Sequence, residues 1–303
     1  MLSEIMLLLD TFPWMAPVIA FVFGASVGSF LNVVVYRLPV MLNREWQQQA
    51  LDVLDETTQE SELIRQLRER LPPPTEKFNL VVPNSRCPHC DTAIRPWHNI
   101  PIFGYFLIGG RCASCRAPVS ARYPLVETGT ALLSMATIFA FGPTLAGVAA
   151  CVLTWALVAL ALIDFDTQLL PDDITLPFLW IGLTINFFGL FSSFTDAFIG
   201  ACLGYLALWF VFQAFRLITG KEGMGYGDFK MLAMLGAWLG YQMVPLIIVL
   251  SSFAGAVIGG VMILFGRDRT RPIKFGPFLA IAGWIALLWG HAIVDTYLSL
   301  TIQ

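Results

Sequence analysis

The basic residues of this chain are confined to three stretches, and this distribution restricts its fold more than any other feature. Of the 18 Lys and Arg residues, eleven lie in 37–122, three in 216–230 and four in 267–274. Apolar sequence fills most of the remainder, and only 13% of all residues are charged, about half of the fraction usual in a soluble domain. The chain is therefore predicted to be an integral membrane protein surrounded by lipid, and no nucleic-acid partner is expected.

The basic segments also predict the number of membrane crossings, because loops rich in Lys and Arg stay in the cytoplasm. One apolar run precedes the first segment, four lie between the first and the second, two lie between the second and the third, and one follows. The runs are 14–36, 123–141, 144–163, 174–191, 197–215, 229–241, 243–265 and 275–298. We therefore expect an all-α polytopic membrane protein with about eight transmembrane helices and both termini on the side opposite the basic loops. The run 229–241 is short enough to be re-entrant, although the parity of crossings favours a full span.

The same pattern divides the chain into three regions. Residues 1–36 would form a first transmembrane segment, 37–122 a cytoplasmic loop domain, and 123–303 a seven-helix transmembrane domain. The start of the chain has acidic but no basic residues, so the first run is interpreted as a retained anchor and not as a cleaved secretory signal. Within the loop domain, 43–71 has helical periodicity, with Leu63, Leu67 and Leu71 at every fourth position. That helix could dock a partner or could be a solvated spacer.

Four cysteines in the loop domain have the spacing of a metal site. Cys87 and Cys90 form one C-x-x-C pair, and Cys112 and Cys115 form a second pair after 21 intervening residues. This spacing is close to that of a four-cysteine zinc ribbon, in which all four thiolates bind one tetrahedral ion. Two disulfides are the alternative, but disulfides are rare in the cytoplasm. The zinc would be structural, since four cysteine ligands leave no open position for water.

Two aspartates stand at the borders of apolar runs. Asp164 ends the run 144–163, and Asp228 follows the glycines of Gly225-Tyr226-Gly227 just before the run 229–241. Ionisable groups at such positions are costly and mark functional sites, and two carboxylates that share a proton form the acid/base pair of an aspartic protease. Asp228 could instead cap the helix that follows it. Both aspartates lie at predicted cytoplasmic ends, so they can reach the same depth in the membrane.

Together these motifs closely resemble those of the bifunctional type IV prepilin peptidases, which are the leader peptidase/N-methyltransferases of type IV pilus and type II secretion systems. The matching elements are Asp164, Leu170-Pro171-Asp172, Gly225-x-Gly227-Asp228, the double C-x-x-C loop, Asn99-Ile100-Pro101 and Tyr123-Pro124-x-x-Glu127. The resemblance extends over most of the chain except 43–74, and the motif positions show no departure from the family pattern. The G-x-G-D element also occurs in presenilin-like proteases, which lack the cysteine loop.

The resemblance implies that the chain cleaves the basic leader from prepilins and type II secretion pseudopilins at the cytoplasmic face of the bacterial inner membrane, with both termini periplasmic. It implies further that the new amino terminus is N-methylated with S-adenosyl-L-methionine as the methyl donor. No Gly-rich nucleotide motif marks the donor site. Because 37–122 is the only region on that face large enough to enclose a cofactor, a site near Gly110, beside the second cysteine pair, is suspected. The sequence specifies neither the oligomeric state nor which aspartate is the acid.

Two other classes of protein fit parts of the pattern. A proton-coupled transporter could use the two aspartates as a proton relay, with the zinc-binding loop in a regulatory role. A thiol oxidoreductase could use the C-x-x-C pairs, which would then need an accessible thiolate. Tightly held zinc would argue against redox cycling of those cysteines.

Overall fold

A computed structural model describes residues 11–57, 69, 77–266 and 274–301, and these residues are helical with two isolated antiparallel bridges. The α-helices are α1 (Met15–Thr57), α2 (Phe103–Leu107), α3 (Arg122–Phe141), α4 (Leu145–Thr167), α5 (Asp172–Phe187), α6 (Phe194–Thr219), α7 (Tyr226–Leu239), α8 (Met243–Leu264) and α9 (Gly276–Thr301). A short 3-10 helix covers Pro96–Asn99. The chain is thus an all-α polytopic membrane protein, as predicted, and Leu63, Leu67 and Leu71 lie outside the described residues.

The helices begin and end at residues that satisfy their free backbone groups. Thr144 accepts the N–H of Gly147 at 3.1 Å at the start of α4, and Ser193 accepts the N–H of Asp196 at 3.1 Å at the start of α6. Gln168, with φ 57°, ends α4 in the left-handed conformation. These caps extend α4 beyond the predicted run 144–163, so that Asp164 lies within its last turn.

Six helices within the described ranges are long and apolar enough to cross a membrane, namely α1, α3, α4, α6, α8 and α9. The two other predicted spans form helices as well, but α5 has 16 residues and α7 has 14, fewer than the roughly 20 that a crossing needs. The prediction of about eight crossings therefore rests on six helices of full length and two short ones. The short length of α7 has a physical reason, because neighbouring helices enclose it and it has little contact with lipid.

The chain folds into two compact units, one of Met1–Phe21 with Leu132–Gln303 and one of Val22–Ala131. In the first unit α7 is the central helix, and from Asp228 onward each of its residues except Lys230 is buried. It packs against α5, α6, α8 and α9. The approach of α6 to α7 is close enough that a Cβ at Gly236 would lie 2.1 Å from the carbonyl oxygen of Gly200. Glycine at these crossings therefore lets the two backbones meet.

The Val22–Ala131 unit contains most of α1, the cysteine pairs and the first turns of α3. The buried guanidinium of Arg37 donates to the carbonyl oxygens of Asn79 at 2.9 Å and Pro83 at 2.6 Å, and so fixes the chain that leads to the first cysteine pair. A Cβ at Gly28 would lie 2.8 Å from Cα of Glu127, so α1 and α3 touch closely here. The three regions predicted from the sequence, 1–36, 37–122 and 123–303, stay a prediction.

Candidate active site and metal centre

Asp164 lies in the last turn of α4, with its carboxylate against the first residue of α9. Its Oδ2 accepts the N–H of Gly276 at 3.1 Å, and only 6% of the residue is exposed. Gly276 leaves room for this carboxylate, because a Cβ there would lie 2.8 Å from Oδ2 and 3.0 Å from Cγ of Asp164. The start of α9 thus supplies a backbone hydrogen-bond donor to this oxygen, as helix N-termini do for anionic groups.

Lys274 adds a positive charge beside Asp164. Its ammonium donates to the carbonyl oxygen of Phe165 and lies 5.1 Å from the centre of the Phe165 ring. Held in this way, the charge of Lys274 acts on the carboxylate of Asp164. Neither Lys274 nor Gly276 was identified from the sequence, although Gly276-Pro277 is a typical start of a helix.

Asp228 lies in the first turn of α7 and is 8% exposed. Gly225 holds the N-cap position, so Asp228 is not the capping residue, and its own N–H donates to the carbonyl oxygen of Gly225 at 3.2 Å. The charge of Asp164 acts on Asp228, so the two carboxyl groups are neighbours at the ends of different helices. The structure therefore brings together the two aspartates that the sequence singled out.

The two glycines before Asp228 differ in how closely other residues pack against them. A Cβ at Gly227 would lie 2.7 Å from Cβ of Leu170, so this glycine lets the start of α7 approach the Leu170-Pro171-Asp172 loop. A Cβ at Gly225 would make only an ordinary contact, 3.9 Å from Oδ2 of Asp228, and its φ of −81° suits any residue. Close packing therefore explains Gly227 and not Gly225.

The remaining aspartates of the α4–α5 connection have other surroundings. Asp172 is in the first turn of α5, where its oxygens accept two hydrogen bonds from Nζ of Lys230 at 2.6 and 2.7 Å. Asp173 is in the same turn. Asp166 is exposed. These positions separate the three residues from the buried pair.

The four cysteines converge as the spacing predicts. All are free thiols, and their sulfur atoms lie within 4.8 Å of one another. Sγ of Cys87 is 3.8 Å from that of Cys115, and Sγ of Cys90 is 4.0 Å from that of Cys112. A tetrahedral zinc ion with bonds of about 2.3 Å would hold its sulfur ligands about 3.8 Å apart. The cluster therefore fits zinc, and His89 and His98 are not members of it.

The two cysteine pairs have the same local backbone. In each, the N–H of the first cysteine donates to the carbonyl oxygen five residues later, at 3.0 Å from Cys87 and 2.8 Å from Cys112. The residue after each second cysteine is left-handed, with φ 52° at Asp91 and 62° at Arg116. The two turns aim all four sulfurs at one point, as a single tetrahedral ion requires.

The pKa values of the clustered thiols favour the binding of a cation. Backbone N–H groups of Cys115 and Ser114 lower the pKa of Cys112 to about 6. At Cys115 the N–H of Ala117 acts in the same sense, but desolvation and the neighbouring thiolates of Cys90 and Cys112 raise its pKa to about 11. Desolvation and the neighbouring thiolates thus oppose the ionisation of Cys115, and a bound cation would offset both effects.

Gly110 lies between α2 and the second cysteine pair and is left-handed, with φ +65°. Its N–H donates to the carbonyl oxygen of Tyr105 at 2.9 Å, and its own carbonyl oxygen accepts the N–H of Val119 at 2.8 Å. A Cβ at Gly110 would lie 2.8 Å from the Tyr105 hydroxyl oxygen. A side chain here would therefore disturb the turn that carries the second pair.

The fold and these two sites define a class of protein: a polytopic membrane protein with a buried pair of acids at helix ends and a four-thiol metal centre. Residues 22–141 match the family model of the bacterial peptidase A24 N-terminal domain, and residues 151–260 match that of the type IV leader peptidase family. The chain belongs to the type IV leader peptidase family.

Curated relatives match along nearly the full length of the chain. A prepilin leader peptidase/N-methyltransferase of Pseudomonas aeruginosa is 54% identical over 277 residues, which are 91% of this chain and 91% of the relative. Proteins of the same description from Stutzerimonas stutzeri and Aeromonas hydrophila are 52% and 51% identical, over 92% and 95% of this chain and 93% and 95% of the relatives. No solved structure matches the chain significantly.

Proposed function

We propose that this protein cleaves the basic leader from type IV prepilins at the inner membrane and N-methylates the amino terminus that cleavage creates. The observation that carries the proposal is the pair of buried aspartates, Asp164 and Asp228, at the ends of different helices. The family and the relatives described as prepilin leader peptidase/N-methyltransferases support it. Neither the described residues nor the relatives reported above support the transporter alternative.

Asp164 and Asp228 are the proposed catalytic residues, and their surroundings support a division of roles. Asp164 accepts a backbone N–H at a helix start and has Lys274 beside it, so it suits the ionised member that takes a proton from water. The oxygen of that water would attack the peptide carbonyl carbon while Asp228, the protonated member, donates its proton to the carbonyl oxygen. Collapse of the tetrahedral intermediate would then break the C–N bond as Asp164 gives its proton to the leaving nitrogen and Asp228 takes its own proton back, which releases the new amine.

The active site is proposed to face the cytoplasm, with both termini periplasmic. Lys230 and Lys274 lie near the helix ends that carry the aspartates, and basic residues mark cytoplasmic ends. A prepilin has a basic leader followed by an apolar helix, so its scissile bond would reach this boundary. Pseudopilins of type II secretion share that chemistry and are proposed as further substrates.

The cysteine cluster is proposed to hold one structural zinc ion through Cys87, Cys90, Cys112 and Cys115. Bound zinc would join the two C-x-x-C turns and supply folding energy to the loop. Bound S-adenosyl-L-methionine would supply an electrophilic methyl group to the free amine. Its site is proposed to lie near Gly110, and the residues that contact it are not assigned.

Cleavage of a prepilin by the purified protein in detergent tests the proposal. Asp164→Asn and Asp228→Asn should each lower cleavage by several orders of magnitude, because the amide keeps the volume but cannot exchange the proton. Asp166→Asn, at an exposed position of the same connection, is the matched control and should retain near-normal activity. Near-normal cleavage by either of the first two variants would contradict the assignment of the pair.

A further inference from the structure

The stretch between the two cysteine pairs exposes an unusual amount of apolar surface. No Asp, Glu, Lys or Arg occurs in 96–110. Trp97, Phe103, Phe106 and Leu107, which we call the apolar patch, are 55%, 68%, 69% and 70% exposed. Large side chains so close together on a protein surface mark a contact with another apolar phase.

A hydrogen bond fixes the apolar patch beside a membrane-crossing helix. Ile102, with φ 64° and ψ −58°, is in a strained tight turn closed by the bond from the N–H of Phe103 to the carbonyl oxygen of Pro101 at 2.6 Å. Its own N–H donates to Oε2 of Glu127 at 2.6 Å. Glu127 is buried in α3, five residues after that helix begins, or about 7.5 Å along its axis.

The helix that holds the apolar patch, α3, is long and apolar enough to cross a membrane. Leu125 on its first turns is 69% exposed. A crossing by α3 would place the apolar patch at the depth at which this helix enters the bilayer, because the Ile102–Glu127 hydrogen bond lies within about two turns of its start. The surface of the apolar patch would then adjoin the part of α3 that faces lipid.

Charge supports lipid as the occupant. Arg95 and Arg111 border the uncharged stretch on its two sides, and the Arg95 guanidinium lies 5.8 Å from the centre of the Trp97 ring. Tryptophan and arginine together are typical of the headgroup layer, where the ring meets acyl chains and the cation meets phosphate. Phosphatidylglycerol, an anionic lipid, has both the acyl chains and the phosphate that these side chains would contact.

We propose that the apolar patch docks into the lipid interface, with Glu127 setting its depth through Ile102 and with Arg95 and Arg111 at anionic headgroups. The loop would then be attached to the membrane at a third place, besides α1 and α3. This contact would keep both cysteine pairs near the membrane but outside its acyl chains. The proposal does not depend on the proposed catalytic function, because its observations lie in the Val22–Ala131 unit.

Photo-crosslinking in liposomes tests the docking. The full chain, with the photoreactive residue p-benzoylphenylalanine at Phe106, is reconstituted in vesicles of phosphatidylethanolamine and phosphatidylglycerol. The same photoreactive residue at Leu125 is the positive control. At Ala113, which is exposed in the second cysteine pair, it is the control outside the apolar patch. We expect lipid adducts at Phe106 in a yield similar to that at Leu125 and several-fold above that at Ala113.

Two results would overturn the proposal. One is an absence of lipid adducts at Phe106 while Leu125 forms them; the other is an adduct at Phe106 with an added prepilin in place of lipid, which would make the apolar patch a substrate surface. Glu127→Ala, with zinc content measured to show that the loop is folded, should lower the Phe106–lipid adduct several-fold. An unchanged yield in that variant would refute the role of Glu127.

Discussion

Gly276 offers a sharp test of the arrangement around Asp164. Gly276→Ala would place a Cβ 3.0 Å from Cγ and 3.1 Å from Cβ of Asp164. Carbon atoms prefer separations of about 3.5 Å or more, so the carboxylate must retreat by about 0.5 Å, away from the N–H that orients it. A displacement of about 1 Å can cost about 100-fold in rate, so about half of that distance predicts a loss of about tenfold, or about 1.4 kcal/mol of transition-state stabilisation.

The assay is cleavage of a prepilin in detergent, with kcat and KM measured separately. The loss should fall on kcat, because the change displaces a proposed catalytic group and leaves the rest of the substrate's contacts intact. Gly260→Ala, on α8 with open space around the new methyl group, is the matched control and should cleave normally. A Gly276→Ala protein that folds and cleaves within about twofold of the unchanged protein would refute the placement of Asp164 against α9.

Three other predictions concern residues around the two sites. Lys274→Gln should lower kcat for cleavage by about tenfold, because it removes the cation beside Asp164. Lys274→Arg should keep most of the activity, and equal losses in the two variants would exclude a role for the charge. Elemental analysis should find one zinc per chain, and Cys112→Ser should lose the metal and expose the loop to proteolysis, whereas Cys202→Ser, at an exposed cysteine outside the cluster, should lose none. Gly110→Val should impair methylation more than cleavage, as measured by mass spectrometry of processed pilin. Gly109→Val is the control, because Gly109 is also left-handed but has open space around it. Loss of both activities together in Gly110→Val would limit the loop to a structural role.

Much of the fold and the site could be predicted from local patterns. Apolar runs predicted the positions of the helices, and the C-x-x-C spacing predicted a cluster whose sulfur distances fit zinc. The aspartates were identified by position alone, because an ionisable carboxyl at the border of an apolar run is energetically costly and so indicates a function. Each of these predictions depends on residues close together in sequence, or on one rule that applies along the whole chain.

The partners of Asp164 could not be predicted because they depend on which helix ends meet. Gly276 is 112 residues away, and no local pattern specifies that the start of α9 lies against the end of α4. The short length of α7 was equally hard to interpret, since the length rule applies to helices in lipid and this one is enclosed by protein. The spacing Gly200-x-x-x-Gly204 does indicate that α7 is enclosed by protein, because small residues at that spacing let α6 approach the backbone of α7.

The position of the acid pair at helix ends follows from what its chemistry requires. Within the bilayer core the backbone N–H groups of a helix are all used internally, so a carboxylate there would have neither a donor nor water. The first residues of α9 do have a free N–H for Asp164, and Lys274 can reach the same point because its chain lies just outside the helix. A prepilin with a charged leader and an apolar helix would present its scissile bond at that same boundary. The depth at which the carboxylates can be ionised and supplied with water is therefore also the depth at which such a substrate can be cut.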